Sequence, residues 1–419
     1  MSGPKTTRAI NTYLAVFAGA SVLSIVVAWI YSSYFRNDFA ALLVYGGMDG
    51  NCDLVTQGLG VHCFGDYSAI HYSNLFQVPQ GAEVVYPVIT RIFRLPFFII
   101  EKISSYQVGL VFYLMALLAA ILFPVFYSHF KQQSTFSLPF WLCITCLNLG
   151  TISSLDRGNI IGFAVPFFYL FLVRFQDGDS KSASLYLTFA TMVKPQLALF
   201  AVVFLWRNEI KALLIFSIRT FIVMTIPYLV FGAKGVSLFM DWVIETLRWS
   251  KSLPLTVNYP TNYSFNRVLN LFDAKYLNFS FMFGTFLIVG LTLPIILRKK
   301  ETYAIDLIKL SLVVICMNSI VFIYYSVLLI PLWVVLFSQR KNTFDVEKEW
   351  VDGNLLLPSL LALASAPLAW PSRWRIDDDV SASGAYNVVP IFVTLGFAIF
   401  VVYAIIRSFL NTPSRRNHF

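Results

Sequence analysis

The chain has 419 residues, of which 58% are hydrophobic and only 13% charged, with a mean hydropathy of +0.70 and a formal net charge of +9. This balance excludes a soluble globular domain and a disordered chain, and places the sequence among polytopic membrane proteins. The positive charge is scattered over short loops between apolar runs, so it is not a nucleic-acid footprint.

Lys5 and Arg8 precede an apolar segment from Tyr13 to about Phe35. The segment is too long for a signal-peptide core and lacks a small-residue cleavage site, so it is predicted to stay as the first helix. Residues 36–107 form the longest stretch without a predicted span. Asp38, Asp49, Asp53, Asp66 and Glu83 follow there before any base other than Arg36. Further on, VVYPVITRIFRLPFFIIEKI sets Arg91, Arg94 and Lys102 among apolar residues, a pattern that fits a helix lying in the membrane interface.

Later apolar runs predict spans at about 108–129, 137–155 and 159–174, a hairpin over 183–206, and spans at about 211–231, 277–297, 304–320, 323–338, 354–370 and 386–407. The fold class is therefore all-α: one domain over 1–419, with about 11–12 transmembrane or part-spanning helices. Lys131, Arg174 with Lys181, Arg207 with Lys211, Arg298–Lys300, Arg340 with Lys341, and Arg407 with Arg415 and Arg416 alternate onto the side of Lys5 and Arg8. By the positive-inside rule that side is the cytoplasm, with both termini there, in a multi-pass plasma-membrane protein. Residues 36–107, the 232–276 loop and the Asp377–Asp379 loop then face outward, and 354–419 holds the C-terminal helices.

The stretch 156–211 is the first sign of a site. It reads DRGN, an apolar run, a charged turn, a second run, KPQ, a third run and WRNEIK. The runs flanking KPQ are about half the length needed to cross the hydrocarbon, so they predict a hairpin of short helices with Lys194 and Pro195 at its tip. Pro195 removes a backbone donor and disfavours helix just before it. An ammonium at that depth is costly unless it faces a wet cavity or a fixed anion; its bland alternative is snorkelling to the interface. Asp156, Arg157 and Asn159 fall on the same side, where Asp156 and Arg157 pairing with each other is the plain reading.

Other chemistry is thinly represented. No Gly-rich phosphate loop is present, and the four His residues show no metal spacing, so neither cofactor nor metal is expected. Cys52 and Cys63 share the first outer loop, where a small disulfide ring and two free thiols both fit. Cys143 and Cys146 form a CxxC inside an apolar span, where packing is the expected role. No internal repeat is visible, which counts against a secondary transporter.

DFAALLVYGG, VVYPVITRIFRLPF, DRGNIIGFAV, TMVKPQLALFAVVFLWR, TNYSFNRVLNLF and SIVFIYYSVLLIPL occur in this order. In order and spacing they resemble glycosyltransferase family 87 of the GT-C superfamily, over residues 36–338. Many members have Gln where this chain has Asn159, and some have a His pair at Tyr324 and Tyr325; nothing after residue 354 matches. The resemblance implies a GT-C-like bundle with interfacial helices in its outer first loop. It also implies inverting transfer of mannose or arabinofuranose from a polyprenyl-phosphate donor to a cell-envelope glycolipid or polysaccharide, on the outer face of the membrane.

Such a donor is already activated, so the tasks left to the protein are electrostatic and acid–base. Negative charge grows on the departing phosphate and calls for fixed cations, and the acceptor hydroxyl must lose its proton to a carboxylate. The resemblance puts that base in the first outer loop just behind helix one, where Asp38 stands; Asp49, Asp53 and Asp66 are the other carboxylates there. It assigns donor phosphate and sugar contacts to Lys194, Arg157, Asn159, Asp156 and Arg267, and acceptor or sugar contacts to Asn262, Ser264, Asn266, Tyr324 and Tyr325. The alternative is a transporter or lipid-linked-sugar flippase, since intramembrane charge at broken helices also suits transport.

Overall fold

The computed structural model describes residues 4–35, 64, 66–67, 87–132, 137–249, 265, 279–297, 304–317, 323–337, 355–366 and 388–410. Among them all regular structure is helical. Among the described residues five helices are long and apolar enough to cross a membrane, or six if one bent pair counts as a single span. The chain is a multi-pass α-helical membrane protein.

Helix α1 (Pro4–Phe35) buries Ala9, Tyr13, Phe17, Ala20 and Ser24 at helical spacing and leaves Val22, Leu23, Val26, Trp29 and Ile30 exposed. An apolar face of that size is tolerable only against lipid. After a 3-10 turn, Val88–Phe93, come α2 (Leu95–Ile103) and the long α3 (Tyr106–Gln132). The expected interfacial helix is thus two short pieces, divided where Pro96 opens α2.

The single span expected over 137–155 is instead α4 (Leu138–Cys146) and α5 (Leu149–Arg157), bent by 57°. Asn148 causes the break, because its side chain accepts from the Gly150 N–H and starts a new helix there. Cys143 and Cys146, expected as packing residues, lie exposed as free thiols on α4. Gly158, left-handed at φ 63°, ends α5, and Asn159 caps the next turn, Ile160–Phe163.

Helix α6 (Ala164–Gln176) is buried nearly all round, with Phe168, Phe171 and Phe175 packed on Phe200 and Phe204. Helix α7 (Ser180–Val193) runs against it. The predicted hairpin tip is present. Lys194 is extended (φ −137°, ψ 97°), as the residue before a proline prefers, and the chain resumes as Pro195–Ala201 and α8 (Val202–Trp206). Helix α9 (Ile210–Thr225) shows Leu214, Ile218, Phe221 and Ile222 outward.

Beyond a 3-10 segment, Ile226–Lys234, the start of the expected 232–276 loop is helix α10 (Gly235–Trp249). Gly232 (φ 61°) reverses the chain, so Phe239 of α10 packs edge-on against Tyr228, with ring centroids 5.4 Å apart. The amphipathic spacing of GVSLFMDWVIETLRW explains why that stretch is helical rather than loop.

The remaining elements are α11 (Phe279–Leu297), α12 (Ala304–Cys316), a 3-10 turn Ile323–Leu328 running into α13 (Leu329–Phe337), α14 (Leu356–Ser365) and α15 (Val388–Leu410). Short, fully buried helices occupy the middle and long helices with exposed apolar faces surround them. Trp333 of α13 stacks on Trp141 of α4 at 4.9 Å, and Tyr13 of α1 sits against Trp333 and Phe337, tying the first helix to that interior.

Candidate functional site

Three chain breaks meet at one end of the buried helices: the tail of α5 with Gly158 and Asn159, the Lys194 break, and the Ile323–Leu328 turn. The first two breaks exist for local reasons already given, Gly158 with Asn159 and Pro195, and each frees polar side chains from a helical face. Gly150 explains how α5 and the turn approach so closely. A Cβ there would lie 2.1 Å from the Val327 backbone nitrogen and 2.6 Å from the Ser326 carbonyl carbon.

Arg157 is buried and donates through Nε to Asp66 Oδ2 at 2.9 Å and through Nη2 to Asp66 Oδ1 at 2.7 Å. This is the forked geometry that makes arginine–carboxylate pairs strong and directional. Asn159 serves two elements at once. Its Oδ1 accepts from the Ile161 N–H at 2.9 Å, and its Nδ2 donates to Asp66 Oδ2. The Phe64 N–H donates to the Asp156 carbonyl at 2.7 Å, so the first loop is clamped to α5 by backbone as well as side chain.

Two tyrosines complete the group. The Arg157 guanidinium lies 5.1 Å from the centre of the Tyr324 ring, and the Lys194 ammonium lies 4.3 Å from the centre of the Tyr325 ring. The two rings sit 5.2 Å apart. Lys194 is half-buried, and no carboxylate among the described residues pairs with it. It holds its charge against the negative face of an aromatic ring and in the field of Asp66. Burial pushes the Asp66 carboxyl up to about 6, while the bond from Asn159 and the field of Lys194 both oppose that rise.

The structure therefore brings together Arg157, Asn159, Lys194, Tyr324 and Tyr325, with Asp156 alongside. Arg157 pairs with Asp66, where the plain expectation was Asp156. Asp66, expected among the free acids of the first loop, is held in that pair. Asp38, Asp49, Asp53, Asn262, Ser264, Asn266, Arg267 and both Cys52 and Cys63 lie outside the described residues.

A second buried polar group adjoins the first. Tyr67 donates to the Glu101 carboxylate, packs on Tyr113 with ring centroids 4.7 Å apart, and lies under the Arg94 guanidinium. Tyr113 in turn donates to the Gly158 carbonyl at 2.9 Å. Sequence reasoning placed Arg94 on a membrane-surface helix and gave Tyr67 and Glu101 no role. The presence of Glu101 in the same short helical stretch as Arg94 was the available signal.

Chemically the site offers a cation on a ring, a locked guanidinium and a carboxamide. That set suits a phosphorylated or otherwise anionic group presented from the bilayer. Comparison with protein-family models, with curated proteins and with solved structures found no match.

Proposed function

We propose that this protein is a membrane glycosyltransferase that takes a sugar from a polyprenyl-phosphate donor and passes it, with inversion, to a cell-envelope glycolipid or polysaccharide on the outer face of the membrane. One observation carries the reading: Lys194, at a proline-induced helix break, is a half-buried ammonium held on the Tyr325 ring, and no carboxylate among the described residues is bonded to it. A purely structural lysine at such a place would be expected to acquire an acid partner or to reach water. A lysine that receives the donor phosphate must keep its charge free.

In this reading the lipid tail lies along the apolar exterior and its phosphate meets Lys194. Arg157, fixed by Asp66, which Asn159 also holds, supports the same charge from the neighbouring break, and Tyr324 and Tyr325 face the sugar. Cations set in place beforehand stabilise the leaving phosphate without reorganising during the reaction. Asp38 takes the proton of the acceptor hydroxyl.

The test is Lys194→Met in purified protein, assayed with radiolabelled polyprenyl-phosphate mannose and polyprenyl-phosphate arabinofuranose. Loss of donor binding and turnover with normal insertion and folding supports the reading. Unchanged donor binding and turnover overturns it. Movement of intact lipid-linked sugar across vesicles without transfer would establish the flippase alternative.

A further inference from the structure

The segment 88–103 is turned the wrong way for a helix resting on a membrane surface. Such a helix keeps its charges in water and its apolar face in lipid. Here Arg91, Arg94 and Glu101 are buried, whereas Ile92, Leu95, Ile99 and Ile103 are exposed. The polar face looks into the protein, towards Tyr67 and the tail of α5.

Within that face Arg94 is unsatisfied. Its side chain is only 3% exposed, and its Nε, Nη1 and Nη2 are all buried without a hydrogen-bond partner. The nearest acid, Glu101, stands 3.9 Å away, beyond hydrogen-bond reach, and its carboxylate already accepts from the Tyr67 hydroxyl. The guanidinium lies over the Tyr67 ring at 4.2 Å, a contact that attracts the charge and uses none of its N–H donors. Arginine does not escape by deprotonation. A buried guanidinium held only by a tyrosine and by a carboxylate 3.9 Å away carries a heavy penalty unless something with acceptor oxygens is meant to meet its donors.

We propose that Arg94 is the cation of a second anion site, distinct from Lys194, that takes a phosphoryl group. Tetrahedral oxyanions match the planar donor fork of arginine better than they match a lysine point charge. Glu101 acts as the resident competitor that keeps the guanidinium partly neutralised while the site is empty. Tyr67 fixes both partners, and because it follows Asp66 directly, the site borders the Arg157–Lys194 group. The phosphoryl group belongs either to a lipid headgroup or to a soluble phosphate. The inference stands whether or not the chain transfers sugar.

The experiment is equilibrium binding to the full-length protein in uncharged detergent, with dodecyl phosphate and inorganic phosphate as probes. Lys194→Met is the background, so that any binding at Lys194 is already removed. One saturable site is expected to remain, and adding Arg94→Met should weaken it by roughly tenfold or more, the loss of one charge-assisted contact. Glu101→Gln alone, which keeps shape and the chance of a bond from Tyr67, should tighten binding, because it removes the competing charge. A merely structural salt bridge predicts no such gain. Binding of dodecyl phosphate alone assigns the group to a lipid, and equal binding of both probes assigns it to a soluble phosphate. If neither probe binds the Lys194→Met protein, or if Glu101→Gln fails to strengthen binding, the proposal is overturned. Since Glu101→Gln is scored independently, a misfolded Arg94→Met protein does not protect it. Failure of the Lys194 reading would show separately, as unchanged binding on going from the parent to Lys194→Met.

Discussion

Arg157 and Asp66 lie 91 residues apart in sequence yet share a forked pair of hydrogen bonds at 2.9 and 2.7 Å. The fork joins the first loop to the tail of α5, and Asn159 donates to the same carboxylate. Residues that act as one unit give strongly non-additive effects when removed. Asp66→Asn and Arg157→Met should therefore each lower transfer by roughly a hundredfold, the scale of one preorganised electrostatic contact. The double variant should be little worse than the poorer single one. Effects that multiply would mean that the two residues serve separate purposes.

The same carboxyl gives a pH signature. Its folded value, raised by burial to about 6, lies above that of an ordinary carboxylate. As pH falls through about 6 it gains a proton and can no longer accept the whole fork, so transfer should show an acid limb near that pH. Asp66→Asn should flatten the limb. The stability sign is opposite. A raised folded value makes the group's contribution to stability greatest at low pH, and that contribution is lost as pH rises through about 6. An acid limb that merely followed unfolding of the protein would not fit this assignment.

Tyr325 and Lys194 separate charge stabilisation from hydroxyl chemistry. Their contact is with the ring face at 4.3 Å, so Tyr325→Phe keeps it and Tyr325→Leu removes it. A partly desolvated contact of this kind is worth about 0.5–2 kcal/mol. Donor affinity should therefore survive in the Phe variant and fall several-fold, up to about thirtyfold, in the Leu variant. Equal losses in both, measured as donor Kd, would assign the work to the hydroxyl instead.

What the sequence disclosed follows from the reach of each signal. The Lys194 break was legible because Pro195 acts on its immediate neighbour. The buried apolar helices were legible because 58% hydrophobic composition leaves few alternatives. The order of the apolar runs places Arg157 and Asn159 on the side of Lys194, whereas only the matching of several motifs in order joins Tyr324 and Tyr325 to them, since no local rule brings residues so far apart together. The bend at Asn148 was missed because one capping residue inside an apolar run scarcely alters its hydropathy. Helix α10 was missed because Asp241, Glu245 and Arg248 read as a polar loop until their helical spacing is considered. The Asp66–Arg157 pair had no signal at all: the adjacent Asp156 is the nearer partner in sequence, and nothing local singles out Asp66 among the acids of the first loop.

Gly150 tests whether the tyrosines depend on the approach of α5. A Cβ at that position would meet backbone atoms of Val327 and Ser326 at 2.1 and 2.6 Å, and backbone cannot swing aside as a side chain can. Gly150→Ala should cost about 1–3 kcal/mol of stability, in the range of overpacked cores. It should also weaken donor binding by displacing Tyr324 and Tyr325 from their cations. Normal thermal stability with normal donor affinity would show that the turn adapts and that the close approach is incidental.

Asp38 remains the sharpest prediction, and the geometry makes it more selective. Asp66 is held by Arg157 and Asn159, with both carboxylate oxygens already accepting bonds, which leaves it poorly placed to take a proton from an incoming hydroxyl. Asp38→Asn keeps the shape and removes the proton acceptor, so transfer should fall by about a hundred- to ten-thousand-fold, the usual contribution of a general base. Donor binding should stay near that of the parent, because Lys194 and Arg157 are untouched. Asp66→Asn should behave differently, lowering donor binding together with turnover through the loosened fork. Asp49→Asn and Asp53→Asn should cost far less than either. If Asp38→Asn turns over within a few-fold of the parent while Asp49→Asn or Asp53→Asn is inactive with donor still bound, the base has been assigned to the wrong residue of the right loop. If all three remain active, the inverting-base mechanism does not apply to this chain.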